Sequence, residues 1–147
     1  MPRLWILAYF AIAAVAQSAT LEGEVTLKYD ESAFGKSAYV KQFGDIVKAT
    51  TNWRVGEQFA KETIFAGITA KNTGTKPMFF QYYVAFFDKD MKMVGATGQA
   101  SFGEEGLKPG ETTSLTSCLV HLPKGRYKDI VSFQAVLYET DQPLKKK

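Results

Sequence analysis

The fold class is decided by residues 78–87, which read MFFQYYVAFF. Side chains alternate between the two faces of a β-strand, which sorts these aromatic residues into two rows. One row holds Phe80, Tyr82 and Phe86, and the other holds Phe79, Tyr83 and Phe87. Aromatic residues are enriched in strands, and dense turn signals at 72–77 and 88–90 bound the stretch. We therefore predict a strand here, with aromatic side chains on both faces.

Further strand-like segments lie on both sides of this stretch. They cover residues 21–29, 46–55, 63–71, 91–102, 114–122 and 131–139, where apolar residues alternate with polar ones or apolar runs stop at turn residues. Residues 30–45 are rich in glycine, serine and charge, so we expect a loop with at most one short helical turn. Residues 127–130 are predicted to form a short connecting turn.

These segments predict an all-β protein with an Ig-like antiparallel β-sandwich of about seven strands, since each half-apolar sheet must bury its face against the other. The chain has 147 residues, of which 46% are hydrophobic, and this length is too short for two ordinary domains. We expect a single domain over residues 19–147 that ends in a basic tail.

The turn pattern of residues 63–139 resembles that of a known family. It comprises an apolar strand, Asn72-Thr73-Gly74, Lys76-Pro77, the aromatic strand, Phe87-Asp88-Lys89-Asp90, Leu107-Lys108-Pro109-Gly110-Glu111 and a strand ending Val136-Leu137-Tyr138. This arrangement resembles the exported Ig-like modules of the FxLYD type, with Val84-Ala85-Phe86-Phe87-Asp88 in the place of the naming motif. The resemblance implies an Ig-like fold in which the Asn-Gly, Asp and Pro-Gly residues form turns between strands. It implies no catalytic residue.

Residues 1–18 have the architecture of a secretory signal peptide. Arg3 precedes an apolar run from Leu4 to Ala16, and small residues allow cleavage after Ala16 or Ser18. A helix of this length covers only about 20 Å of a ~30 Å hydrocarbon core, which disfavours an uncleaved anchor. We expect a secreted or periplasmic protein with no membrane span after cleavage.

The net charge of +3 is concentrated at the two ends of the chain. Of the 18 basic residues, Arg3 leaves with the signal segment, and Lys145, Lys146 and Lys147 form the tail. The remaining body has 14 basic residues and 15 acidic ones. The body then has a net charge of −1, and a nucleic-acid partner would need basic residues clustered on one face. We expect no nucleic-acid partner.

Few side chains are available for catalysis. Cys118 and His121 are the only thiol and the only imidazole, and the single cysteine excludes an intramolecular disulfide. In a strand, residues three apart point to opposite faces, so this pair is not expected to form a nucleophilic dyad. No spacing gathers Glu104, Glu105 and Glu111 into an acid–base site. We expect no enzymatic activity and no cofactor.

Metal handling is the alternative that the residues leave open. Thioether sulfur selects Cu(I), and the candidate ligands are Met78, Met91, Met93 and His121. Methionine is also ordinary core filler, and a blue-copper site would need a second histidine. Asp88 and Asp90 lack the further oxygen ligands of a calcium loop and are predicted to form a hairpin turn.

The second aromatic row, Phe79, Tyr83 and Phe87, gives the candidate binding residues. A sandwich strand normally has a solvated outer face, so this row must either be covered or form an exposed patch. The 30–45 loop brings Phe34, Tyr39 and Phe43 and is the expected cover. An uncovered row would mark a protein or glycan partner surface, and the leading hypothesis is an exported, non-catalytic binding module.

Overall fold

A computed structural model describes residues 16–29, 39–100 and 105–143, and these residues form an antiparallel β-sandwich. The strands are β1 (Ala16–Glu24), β2 (Tyr39–Phe43), β3 (Val47–Gln58), β4 (Lys61–Asn72), β5 (Phe79–Phe87), β6 (Met93–Ala100), β7 (Thr112–Leu122) and β8 (Ser132–Thr140). A short 3-10 helix, Arg126–Asp129, connects β7 to β8. The all-β sandwich is therefore confirmed, with eight strands in the described part of the chain.

The strands form two four-stranded sheets. Sheet A has the order β1-β8-β5-β6, and sheet B has the order β2-β3-β4-β7. Every ladder within the sheets is antiparallel, and the aromatic strand β5 lies between β6 and β8 in sheet A. Each sheet buries one face against the other, because alternate residues of each strand are apolar.

Two segments differ from the sequence-based prediction. The 30–45 region, predicted as a loop, contributes strand β2, which pairs with β3 at the edge of sheet B, while residues 30–38 lie outside the described part. The first strand was placed at 21–29, whereas β1 is Ala16–Glu24. Val25 and Leu27 are buried beyond the end of β1, and the backbone N–H of Val25 donates to the carbonyl of Val131. Residues 21–24 thus alternate as part of the β1–β8 ladder, and the alternation of residues 25–29 reflects the burial of Val25 and Leu27 beyond that ladder.

Trp53 occupies the centre of the space between the sheets. Its ring packs edge-on against Phe86 at 5.2 Å and Phe133 at 4.4 Å between centroids, which joins sheet B to β5 and β8 of sheet A. The indole Nε1–H donates to the buried hydroxyl of Tyr82 at 3.1 Å, and Thr51 Oγ1 lies 2.6 Å from the same oxygen. Because buried polar groups are costly when unpaired, these bonds allow Tyr82 and Trp53 to lie in the core.

Glu139 joins the sheets at one end of the sandwich. This fully buried residue of β8 accepts hydrogen bonds from the backbone N–H groups of Asp45, Ile46 and Val47, in the connection between β2 and β3. The side-chain amide of Gln17 in β1 donates to the same carboxylate at 2.9 Å. Successive backbone N–H groups that converge on an anion supply the partners that a buried carboxylate requires.

The turn at 72–77 is organised by Asn72, as the sequence indicates. Its side-chain amide donates to the carbonyls of Lys76 and Leu107, each at 2.7 Å, and its oxygen accepts from the N–H of Gly74 at 2.8 Å. Residues 105–111 are thereby held against the start of β5, where the backbones of Met78 and Leu107 exchange two hydrogen bonds.

Candidate functional site

The outer face of sheet A carries the most exposed of the candidate binding residues. Tyr83 in β5 is 50% exposed, and Tyr138 in β8 is 37% exposed. Around Tyr83 lies a shallow depression of about 300 Å³ lined by side chains without charge. We name this surface the Tyr83 face, and its residues are Tyr83, Ala85, Ala96, Gln134, Val136 and Tyr138.

Gly98 determines how the Tyr83 ring lies. The two residues are directly paired across β5 and β6, and a Cβ atom at Gly98 would come within 2.2 Å of the Tyr83 ring. The ring therefore lies over the glycine, against the neighbouring strand. Half of the Tyr83 side chain remains exposed to solvent in this position.

The three residues of the second aromatic row have different environments. Phe79 is only 4% exposed, because the loop at Gly106 covers its ring, and a Cβ at Gly106 would lie 3.0 Å from the Phe79 ring. Phe87 is partly buried at the other end of β5. Phe43 packs against Tyr82 and therefore faces the core. The expected cover from the 30–45 loop is thus wrong for Phe43, while Phe34 and the side chain of Tyr39 lie outside the described part of the chain.

The structure does not bring the four candidate metal ligands together. Met78 is buried next to the first residue of β5, whereas Met91 and Met93 follow its last residue, about 30 Å away by the rise of a strand. Nδ1 of His121 lies 2.9 Å from the hydroxyl of Thr63, which pairs with it across β4 and β7. Within residues 16–29, 39–100 and 105–143, no group of three or more His, Cys, Asp or Glu could hold a metal ion.

The hairpin after β5 has the geometry predicted for Asp88. One carboxylate oxygen accepts the backbone N–H groups of Asp90 and Lys92, each at 2.9 Å. The bond from Lys92 is the main cause that holds the pKa of Asp88 below its ordinary value. The Asp88 carboxylate therefore acts as a hydrogen-bond acceptor that holds the turn.

The thiol of Cys118 was considered in the sequence as a nucleophile. Its side chain lies outside the described part of the chain.

An open groove of about 820 Å³ lies where the β3–β4 hairpin meets the end of β7. Its lining includes the tyrosines Tyr29 and Tyr127, whose rings lie 6.1 Å apart, and both Glu62 and His121. Glu62 accepts the backbone N–H of Gly125, so one of its carboxylate oxygens is already used to hold the connection after β7. This groove could not be predicted from the sequence, because its residues come from three separate segments: Tyr29, residues 57–62 and residues 121–127.

The comparisons with known proteins assign this chain to no family. No described helix has the length and apolar character to cross a membrane. No protein family matches the chain, and no curated protein matches it. Among solved structures, the chain is similar to part of the structure of infectious bursal disease virus, Gx strain, with 10% identity and a TM-score of 0.39. The match covers 90% of this chain and 28% of that chain, so this protein spans less than a third of its length.

Proposed function

We propose that this protein is an exported, non-catalytic binding module that contacts a protein partner through the Tyr83 face. The observation that carries the proposal is the half-exposed ring of Tyr83, which lies beside Gly98 on a sheet face without charged side chains at its centre. Protein interfaces are enriched in tyrosine and depleted in lysine, glutamate and aspartate at their cores. The composition of the Tyr83 face follows this pattern.

The shape of the face also favours a protein over a small molecule. The depression beside Tyr83 has a volume of only about 300 Å³ and is open to solvent, whereas small-molecule sites enclose most of the ligand surface. Tyr83, Val136 and Tyr138 lie on adjacent strands and can contact one continuous partner surface. A buried tyrosine at the centre of such a contact is a frequent hot spot.

Site-specific photocrosslinking tests the proposal. A benzoyl-phenylalanine residue replaces Tyr83 in one variant and Thr75, at the exposed 72–77 turn, in the control. We expect a discrete adduct with a second protein from position 83 in the secreted or periplasmic fraction, and none from position 75. Equal labelling from both positions, or no adduct from either, would contradict a binding role for this face.

A stability measurement separates loss of binding from loss of folding. Tyr83→Ala removes a half-exposed ring, so we expect the free energy of unfolding to fall by only about 1 kcal/mol. Phe86→Ala, in the same strand but fully buried, is the matched comparison and should cost about 3–5 kcal/mol. A loss of 3 kcal/mol or more for Tyr83→Ala would assign the ring to packing instead of recognition.

Export is supported by the signal-like segment together with the position of Gln17. Cleavage after Ala16 keeps Gln17, whose side chain reaches Glu139, and removes only the first residue of β1. Residues 1–15 lie outside the described part of the chain. Mass spectrometry of the exported protein should find Gln17 at the mature N-terminus, and an intact Met1 would contradict export by cleavage.

A further inference from the structure

Strand β6 forms one edge of sheet A. It pairs with β5 alone, and in the described part of the chain no other backbone hydrogen-bonds to its outer side. The pairing is regular from Gly95 to Ala100, because the register shift between β5 and β6 lies before Gly95. Ala96 and Gly98 are exposed, and the exposed surface of a glycine belongs to its main chain. A row of unpaired N–H and C=O groups therefore faces solvent along these residues.

The other edge strands have features that oppose pairing with a further strand. β1 includes Glu22 and Glu24, and β2 has only five residues, one of which is Lys41. β7 has a register shift within its pairing with β4. Charged residues, short length and bulges are the means by which proteins protect sheet edges. β6, with the sequence MVGATGQA, has no charged residue and no proline, and residues 95–100 contain no bulge.

The chemistry of this edge selects an extended polypeptide chain as its partner. Unpaired backbone groups of a strand are satisfied when a further strand continues the ladder. Two copies of one strand can satisfy each other when they pair antiparallel about a two-fold axis. Like charges that meet across such a pair are destabilising, and β6 has no charge that would oppose its own copy. The edge of β6 is therefore complementary to itself.

A register centred on Thr97 fits the surroundings of the edge. Thr97 then lies opposite Thr97 of the other copy, and cross-strand threonine pairs are favourable in sheets. Ala96 of one copy lies opposite Gly98 of the other, on the outer side of the sheet. On the inner side, a Cβ at Gly95 would lie 2.4 Å from Val120, so β7 already covers this part of β6. What β6 leaves open is its edge, and a second β6 fills it.

We propose that this protein forms a symmetric dimer in which the β6 edges of two copies pair antiparallel. The new ladder joins two four-stranded sheets A into one sheet of eight strands, which is within the usual range for sheets. The Tyr83 faces of both copies lie on the same side of the joined sheet and stay open, so the dimer offers a partner two equal contacts. The dimer does not depend on the function proposed above, and each can fail without the other.

Sedimentation velocity of the purified protein tests the dimer with a matched pair of variants. Thr97 in β6 pairs with the buried Val84, and Thr113 in β7 pairs with the buried Ala70. Both threonines are partly buried and point toward the inside of the sandwich from an edge strand. Thr97→Lys should raise the dissociation constant of the dimer about tenfold or more, because an inward-pointing charge on an edge strand opposes pairing. Thr113→Lys should leave it unchanged, and thermal unfolding checks that both variants fold.

Amide hydrogen exchange locates the interface without any substitution. When the protein concentration rises from about 5 to about 500 µM, mass action favours the dimer, and the amides of β6 should exchange about tenfold more slowly. The amides of β1 and β2 should keep their rates. A protein that stays monomeric over this range overturns the proposal, as does protection confined to another edge strand or an equal effect of the two lysine variants. A photocrosslink from position 83 to a different protein, without a dimer, would retain the proposed function and overturn the dimer.

Discussion

At the scale of single residues, Glu139 is a carboxylate in an unusual environment, because it is fully buried. Carboxylates are rarely fully buried, yet this one is enclosed by three backbone N–H groups and the amide of Gln17. The cost of removing the charge from water is offset by these donors, which all lie in segments far from β8 in the chain. Glu139 therefore couples β1, β8 and the β2–β3 connection.

Glu139→Gln should destabilise the fold by about 2–4 kcal/mol, because the amide places an N–H donor against backbone donors and leaves one of them unpaired. Urea unfolding followed by tryptophan fluorescence measures the change. Glu105→Gln, at an exposed carboxylate, serves as the control and should alter stability by less than about 0.5 kcal/mol. Equal unfolding midpoints for the two variants would contradict the role assigned to Glu139.

The ionisation of Asp88 makes the stability of the folded protein depend on pH in the acidic range. Its folded-state pKa is lowered, chiefly by the backbone N–H of Lys92, so its contribution is present above the unfolded-state pKa and is lost as the pH falls through the folded-state pKa. The window therefore begins near the ordinary aspartate pKa of about 4 and extends below it. Asp88→Asn should flatten the dependence of the melting temperature on pH between about 4 and 2. Asp90→Asn, in the same turn, is the control and should follow the parent curve more closely.

At the scale of elements, the β3–β4 hairpin shows how tertiary context overrides local preference. Phe-Ala is an unfavourable pair for a two-residue turn, yet twelve paired positions from Val47–Asn72 to Gln58–Lys61 hold both strands in register. Many ladder bonds thus impose positive φ on the turn. Because Phe59-Ala60 carries no turn signal, neither this hairpin nor a role for Phe59 could be predicted from the sequence.

Ala60→Gly should raise the free energy of unfolding by about 0.5–1 kcal/mol, since glycine adopts the φ of 57° without strain. Ala85→Gly, within β5, is the matched control and should lower it by a similar amount, because glycine weakens a strand interior. Thermal or urea unfolding of both proteins measures the two signs. A loss of stability for Ala60→Gly would show that the turn is not strained by its side chains.

At the scale of the whole molecule, β1 closes sheet A. It pairs with β8 along its full length from Ala16–Thr140 to Glu24–Ser132, and Leu21 packs against the core. Without β1, the edge of β8 would present unpaired backbone groups, which promote association between chains. Residues 16–24 are therefore part of the fold.

A chain that starts at Gln17 should have the same thermal unfolding midpoint as the full-length chain. A chain that starts at Val25 lacks β1, so it should lose most of its stability or associate through the open edge of β8. Size-exclusion chromatography and thermal unfolding measure these outcomes. Deletion of the last three lysines, which lie outside the described residues, is the control for shortening the chain. An equally stable protein that starts at Val25 and associates no further than the full-length chain would show that β1 is dispensable.

Alternation and turn residues are local signals, and they were sufficient to predict six of the eight described strands, the sandwich, the Asn72 and Asp88 turns and the short turn before β8, whereas the first strand was misplaced and β2 was missed. Features that depend on partners distant in the chain were decided only by the tertiary structure. Phe79 and Tyr83 belong to the same row of one strand, yet the loop at Gly106 buries the first ring and leaves the second half exposed. The burial of Glu139 likewise follows from strand pairing. Local patterns determine which residues form strands. Which side chains are buried, and which distant residues lie next to each other, depends on where separate segments of the chain meet.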